Sequence, residues 1–216
     1  MNAVSAPPTA LLSPADLGAP ALAAEPELEA LARLAAAGFR VAPLRVVAAA
    51  SEETFYRLNN LPAQLAALFA GLDLTDPDED DLEERTEAAQ ALLKRHFLLD
   101  EFVDVFYTGL EGLPPTLRVR RPHSAAALSA GRVVTKGRPA LLALKDTWTD
   151  DWGFDALWGR VRAEHSVALA ARPVLLAPPV QDDAGDAEAG RASQLLSRRV
   201  RLLHDPALGV TGVRFL

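Results

Sequence analysis

The stretch Leu117–Thr135, which reads LRVRRPHSAAALSAGRVVT, marks the point at which the chain changes character. Before it, apolar residues recur with helical spacing; from it onward, short strand patterns alternate with helical ones. Thr116–Arg120 alternates like a half-buried strand, and Val133–Lys136 predicts a short second strand. Helices followed by mixed strands and helices predict an α+β fold.

The flanking sequence divides the chain into a tail and one domain. Residues 1–24 are rich in Ala and Pro and predict a flexible tail. Residues 25–216 predict a single domain, with a helical part at 51–112 and a sheet part at 116–216. One helix is predicted to start at Ser51 and to break or kink at Pro62, and another is predicted over 76–95 with Asp76 as its cap. The other predicted helices are Glu27–Ala37, 98–110, Pro139–Trp148 and Phe154–Arg162. Strands are predicted at Leu44–Val47, Val167–Leu176, Val200–Leu203 and Val210–Phe215, and a flexible loop at Gln181–Gly190.

Composition excludes several classes of protein. The 216 residues are half hydrophobic, carry a net charge of −7 and include no cysteine. Disulfides, thiolate catalysis and cysteine-ligated zinc are therefore excluded, and an acidic chain is a poor general binder of nucleic acid or anionic membrane. No signal peptide or membrane span is recognised, so a cytoplasmic location is predicted, without nucleic acid or membrane as a partner.

No motif in the sequence indicates a catalytic residue or a metal site. Asp76, Asp78, Asp80 and Glu87 have the spacing of calcium-loop ligands, but Asp81 stands where such a loop needs glycine. A charged helix start explains this run better. Neither a glycine-rich phosphate loop nor a GxSxG nucleophile elbow occurs.

Three tryptophans invite a ligand-stacking interpretation. Trp148, Trp152 and Trp158 recur at near-helical spacing. That spacing favours packing in the core over a stacking platform.

The arginines are the unusual feature of the opening stretch. Arg118, Arg120, Arg121 and Arg132 gather there although the chain is acidic. Strand alternation places Arg118 and Arg120 on one face, where two guanidinium groups could clamp a phosphate. The alternative is an exposed sheet face with solvated arginines, and spacing alone favours that alternative.

The order of motifs around the arginines adds a second line of argument. LEALARLAAAGFRVAPLRVVAA (Leu28–Ala49) is followed by LDLTDPDEDDL, LRVRRPHSA, AGRVVT, ALLALKDTWTDDWGFDALWGR, SVALAARPVLLAPPV and finally VTGVRFL. In this order they resemble the N-terminal ATP-binding domain of the phosphoenolpyruvate synthase and pyruvate phosphate dikinase family. In that family the corresponding motifs include VAVRSSA, AGQxxT and VSGVLFT.

The resemblance implies the N-terminal portion of an ATP-grasp-like domain, with ATP and magnesium as ligands. Arg120 occupies the position of the family arginine that contacts nucleotide phosphates. Thr135 matches the threonine after the AGQ turn. Together with Arg118 and Arg132, they form the predicted nucleotide-phosphate-binding set.

Departures from the family pattern bear on catalysis. Glu25–Glu29 stands where the family has a lysine, and Arg121 and Pro122 replace two serines. The family half that supplies metal-binding acids has no counterpart up to Leu216. No catalytic residue and no metal ligand is therefore predicted, and no phosphotransfer by the chain alone.

Four hypotheses follow from these observations. The first is a kinase-related pseudoenzyme that binds a nucleotide or a phosphorylated small molecule. The second is a protein-interaction module without a ligand. The third is a partial subunit completed by a protein partner carrying the missing half. A nucleic-acid role comes last because of the net charge.

Overall fold

The computed structural model describes residues 11–13, 16, 25–123, 131–180, 182–183 and 185–216. Most of the predicted tail at residues 1–24 lies outside these ranges, and so does Ala130 of the AGRVVT motif. Leu11 and Leu12, which the sequence assigns to that tail, instead form a short strand.

Four consecutive helices separate the first strands from a second part in which strands and helices are mixed. The helices are α1 (Pro26–Ala36), α2 (Ala49–Leu58), α3 (Leu61–Leu68), α4 (Glu79–Arg95), α5 (Asp100–Gly109), α6 (Arg138–Asp150), α7 (Phe154–Glu164) and α8 (Asp186–Leu196). The strands are β1 (Leu11–Leu12), β2 (Arg45–Val47), β3 (Thr116–Arg120), β4 (Arg132–Thr135), β5 (Val174–Ala177), β6 (Asp182–Asp183), β7 (Val200–Asp205) and β8 (Gly209–Phe215). About 50% helix and 17% strand, with antiparallel sheet neighbours, confirm the predicted α+β class.

Two sheets organise the described residues. The larger has the strand order β1-β2-β5-β3-β4, and the smaller has the order β6-β7-β8. Strand β2 precedes the predicted helical part, yet it pairs with β5 from the predicted sheet part. The larger sheet therefore joins segments that lie before and after the helical part in the sequence.

The larger sheet has a different hydrophobic core on each face. Leu117 and Val119 of β3 belong to the core that α2–α7 cover. On the other face, Leu175 and Ala177 of β5 pack with α1, α8 and the smaller sheet. These four strand residues are at most 2% exposed, so both faces of the sheet are covered here. The β3 backbone thus lies between two packed layers.

Several predicted boundaries change for identifiable reasons. The predicted strand Val167–Leu176 is wrong before Val174: the backbone N–H of Arg172 donates to Glu52, and Pro173 has no N–H to pair. The predicted loop at Gln181–Gly190 is wrong from Asp186 onward, where α8 begins.

The start of α4 also differs from the prediction. Asp78, rather than Asp76, caps the helix by accepting from the Asp81 backbone N–H at 2.9 Å. The predicted break is present but lies just before Pro62: α2 ends at Leu58, Asn60 has a φ of +51°, and α3 begins at Leu61 with Pro62 in its first turn. The predicted closing hairpin is confirmed as β7–β8.

No helix among the described ranges is both long enough and apolar enough to cross a membrane.

Candidate functional site

Arg120, one of the four residues predicted to bind phosphate, is held in a buried ion pair. Its Nη1 and Nη2 each donate to a different carboxylate oxygen of Glu27 on α1, both at 2.7 Å. The two side chains are 1% and 0% exposed. Glu27 also accepts the backbone N–H of His123 at 2.5 Å and of Val213 at 2.9 Å. Four donors thus converge on one carboxylate, which joins α1, β3 and β8.

Arg121, the next residue, makes an equivalent connection to the opposite layer. Its Nη2 donates to both oxygens of Glu52 on α2 at 2.9 Å, and its Nε donates to Asp151 at 2.9 Å. Tyr56 donates its hydroxyl to Glu52 at 3.1 Å and accepts from the indole N–H of Trp152 at 2.9 Å. Burial raises the pKa of Glu52, while the nearby charge of Arg121 acts in the opposite direction.

These two arginines are not solvated, so for them the expectation of an exposed arginine face is wrong. Successive strand residues point to opposite faces, and at the end of β3 each face meets a carboxylate on a covering helix. Arg120 therefore ties the sheet to α1, and Arg121 ties it to α2. A buried arginine needs such a partner, because an uncompensated buried charge is strongly destabilising.

Arg132 and Thr135 do not join Arg120. Arg132 points to the helical face and pairs with Asp150 on α6, where its side chain is 38% exposed. Thr135 is exposed at the end of β4, opposite Thr116. Of the predicted set, the structure brings together only Arg118 and Arg120, which lie on one face of β3.

Arg118 stands in a different environment from Arg120. It is half-buried, and its Nε is buried without a hydrogen-bond partner among the described residues. Gly131 lies against it: a Cβ there would come within 3.2 Å of the Arg118 Cγ and 2.6 Å of the Arg120 Cβ. With φ at +65°, Gly131 favours glycine for backbone reasons as well.

A second arginine approaches the same place from the smaller sheet. Arg214 of β8 is half-buried and lies two residues after Gly212, on the same strand face. Gly212 packs directly on the buried pair, since a Cβ there would come within 2.7 Å of the Arg120 Nη2. Neither Arg118 nor Arg214 makes an ion pair with the described residues. We call Arg118, His123 and Arg214 the cationic edge.

The pKa of His123 reports the electrostatics of the cationic edge. Burial lowers this pKa below its ordinary value of 6.5, although Glu27 opposes the shift. Arg120, Arg118 and Arg214 all lower it further. The charges of three guanidinium groups therefore act on one imidazole, and Glu27 pairs with only one of these groups. Excess positive charge of this kind favours an anion.

Glu27 and Glu52, the acids that pair with Arg120 and Arg121, were not predicted from the sequence. Each lies at the core-facing spacing of its helix: Glu27 is followed by buried Leu31 and Leu34, and Glu52 by buried Phe55. An acid within an apolar stripe, together with arginines on a buried strand, is the signal that could have found both pairs.

Other predicted features behave as packing elements. The interpretation of Trp148 and Trp152 as core residues is confirmed, because they are 1% and 5% exposed and their rings pack against those of Phe55 and Phe69. Within the ranges that the structure describes, no group of three or more His, Asp or Glu side chains could hold a metal ion.

Comparison of the sequence with models of protein families and with curated proteins finds no match.

Proposed function

We propose that the chain binds a phosphate-bearing small molecule, a nucleotide such as ATP with magnesium being the first candidate, and transfers no phosphoryl group. The observation that carries this proposal is the cationic edge. Arg118 and Arg214 offer guanidinium groups without ion-pair partners among the described residues, beside a histidine whose pKa is lowered. Guanidinium groups are well suited to phosphate because they donate two parallel hydrogen bonds.

The proposal assigns Arg120 a supporting role rather than direct contact. Its guanidinium already donates to Glu27 and to the Arg121 carbonyl oxygen. A phosphate would have to displace a buried carboxylate that also accepts two backbone N–H groups. Contact through Arg118 and Arg214 requires no such exchange. We therefore place the ligand beside the Arg120–Glu27 pair.

We propose no phosphoryl transfer because the acids near the arginines are already used in ion pairs. Phosphoryl transfer relies on positioned cations, usually including magnesium, around the transferred group. The acids nearest the arginines, Glu27, Glu52 and Asp151, already accept from arginine. They are thus committed to ion pairs rather than available for a metal.

Binding can be tested by calorimetry and thermal shift with magnesium-ATP and with pyrophosphate. We expect stabilisation of about 2.7 kcal/mol once the ligand reaches a hundred times its Kd. Arg118→Ala and Arg214→Ala should each remove most of this stabilisation. Arg57→Ala, which removes an exposed arginine on α2, is the matched control and should bind normally. No response at millimolar ligand, or equal responses in Arg118→Ala and Arg57→Ala, would defeat the proposal.

The second candidate is a protein-interaction module without a ligand. The specific observation in its favour is that Glu27 closes the family's phosphate position by pairing with Arg120. A chain that keeps its fold and shows no affinity for pyrophosphate or ATP in the same calorimetric series would favour this candidate. Phosphate release from ATP should stay at the buffer rate under either candidate.

A further inference from the structure

Helices α3 and α4 cover the face of the larger sheet opposite to the cationic edge, and the surface that they form has an unusual composition. The two helices are antiparallel: Gln64 near the start of α3 accepts from Arg95 at the end of α4, and Arg85 donates to the Leu68 carbonyl oxygen at the end of α3. Between them lies a groove of about 630 Å³. Its lining residues are Gln64, Ala67, Leu68, Ala88, Ala91, Leu92 and Arg95.

Helix α3 carries no charged side chain, although parts of it face solvent. The sequence from Leu58 to Leu72 contains no Asp, Glu, Lys or Arg in a chain whose residues are 24% charged. Exposed positions of α3 include Ala63 and Ala67. A solvent-facing helix normally has a charged or polar face, so an apolar one marks a contact surface.

Exposed large apolar side chains extend this surface at one end. Phe97, just after α4, is 85% exposed, and Leu58, at the end of α2, is 49% exposed. The two segments approach each other, because the side chain of Asn59, next to Leu58, donates to the Phe97 carbonyl oxygen at 3.5 Å. An aromatic side chain presented in this way is typical of an anchor at a protein interface.

The charged side chains of this surface come from α4, and their arrangement would match that of a second copy related by a two-fold axis. Glu84, Ala88, Ala91 and Arg95 follow the spacing i, i+4, i+7, i+11 and are all exposed, so they form one stripe. Glu84 and Arg95 lie about 8 Å on either side of the midpoint between the two alanines, at 1.5 Å per residue. A two-fold axis through that midpoint brings Ala88 against the partner copy's Ala91 and Glu84 against its Arg95.

We propose that this surface is a homodimer interface, in which α4 packs antiparallel on α4 of a second copy, along the groove beside α3. The small alanines permit close approach of the helices, and the two symmetric Glu84–Arg95 pairs set the register. A second copy is the occupant because one helix carries both halves of the charge pattern at equal distances from the midpoint.

The test measures mass in solution by sedimentation equilibrium and light scattering on the full chain. We expect a dimer whose Kd rises more than about tenfold in Glu84→Arg and in Arg95→Glu, because each reversal places like charges opposite each other twice. The double variant Glu84→Arg/Arg95→Glu exchanges the charges and should restore the dimer. Arg199→Glu, on an exposed loop before β7, is the control reversal and should leave the dimer intact. Circular dichroism confirms that each variant is folded.

Three outcomes would overturn the proposal. One is a monomer up to about 0.5 mM, where even a weak specific dimer is populated; a monomeric chain would leave the α3–α4 surface to a different protein. Another is a dimer that neither single reversal weakens, since its interface would lie elsewhere. The third is dissociation by both single reversals without recovery in the double variant, which excludes the Glu84–Arg95 register. Calorimetry with phosphate ligands is independent of all three outcomes.

Discussion

Replacing Arg120 by methionine tests whether the buried pair holds the layers together. The substitution keeps an apolar stem but leaves the Glu27 carboxylate, which is 0% exposed, without its cation. Two hydrogen bonds of 2.7 Å are lost, while the backbone N–H groups of His123 and Val213 still point at the carboxylate. Removing one partner of a buried ion pair costs about 3–5 kcal/mol in unfolding free energy.

The control uses the same residue type in the same sheet. Arg132 also donates through two nitrogens to one carboxylate, that of Asp150, but the two side chains are 38% and 53% exposed. Because exposed pairs contribute roughly 0–1 kcal/mol, Arg132→Met should cost no more than about 1 kcal/mol. The two variants thus differ chiefly in burial.

The assay is urea unfolding at neutral pH, supported by calorimetry. For a chain of this size, the expected loss in Arg120→Met lowers Tm by roughly 6–20 °C. Adding Glu27→Gln should recover part of the loss, because a neutral amide oxygen can still accept from a backbone N–H. A loss of unfolding free energy in Arg120→Met no larger than that in Arg132→Met would contradict a stabilising buried pair. So would a loss in Arg120→Met/Glu27→Gln equal to the sum of the losses in the two single variants.

Three further predictions follow from the same region. In NMR titration, His123 should have a pKa below 6.5, and pyrophosphate should raise this pKa because an anion favours imidazolium. A His123 pKa of 6.5 or higher in the free protein would contradict the described electrostatics. For Glu52, a folded-state pKa raised above 4.5 means that the native state binds the proton more tightly. The free energy of unfolding should therefore fall as pH rises from 4.5 through the raised pKa, and urea denaturation at several pH values should show that Glu52→Gln removes this dependence. Equal dependence on pH in the unmodified protein and in Glu52→Gln would contradict the prediction. Gly212→Ala should destabilise by about 1–3 kcal/mol in urea unfolding, because its Cβ meets the Arg120–Glu27 pair within 2.7–2.8 Å; an unchanged midpoint refutes the close contact.

Much of the secondary structure can be predicted from the sequence, because in most elements the apolar residues recur with either the helical or the strand period. Strand β3 and the β7–β8 hairpin have clear alternation, and α4 has a capped, charged start. Helix α8 was missed because Gly185 and Gly190 and the acidic residues around them are typical of loops, while its buried side chains, Ala192 and Leu196, come only near its end.

The candidate site was predicted less completely, for a physical reason. Alternation along β3 correctly placed Arg118 and Arg120 on one face. Whether a guanidinium meets water, phosphate or carboxylate depends on residues far along the chain. Glu27 lies 93 residues from Arg120, and no local pattern in β3 contains that information.

The bonds to Glu27 also constrain the order in which the chain can fold. Its acceptor bond to the Val213 N–H spans 186 residues, and its pair with Arg120 spans 93. Contacts of such sequence separation form late, because a long loop must be closed first. During synthesis, α1 therefore cannot acquire all the donors of its buried carboxylate until β8 has left the ribosome. Full hydrogen bonding of the Glu27 carboxylate thus couples the docking of α1 to the docking of the closing hairpin.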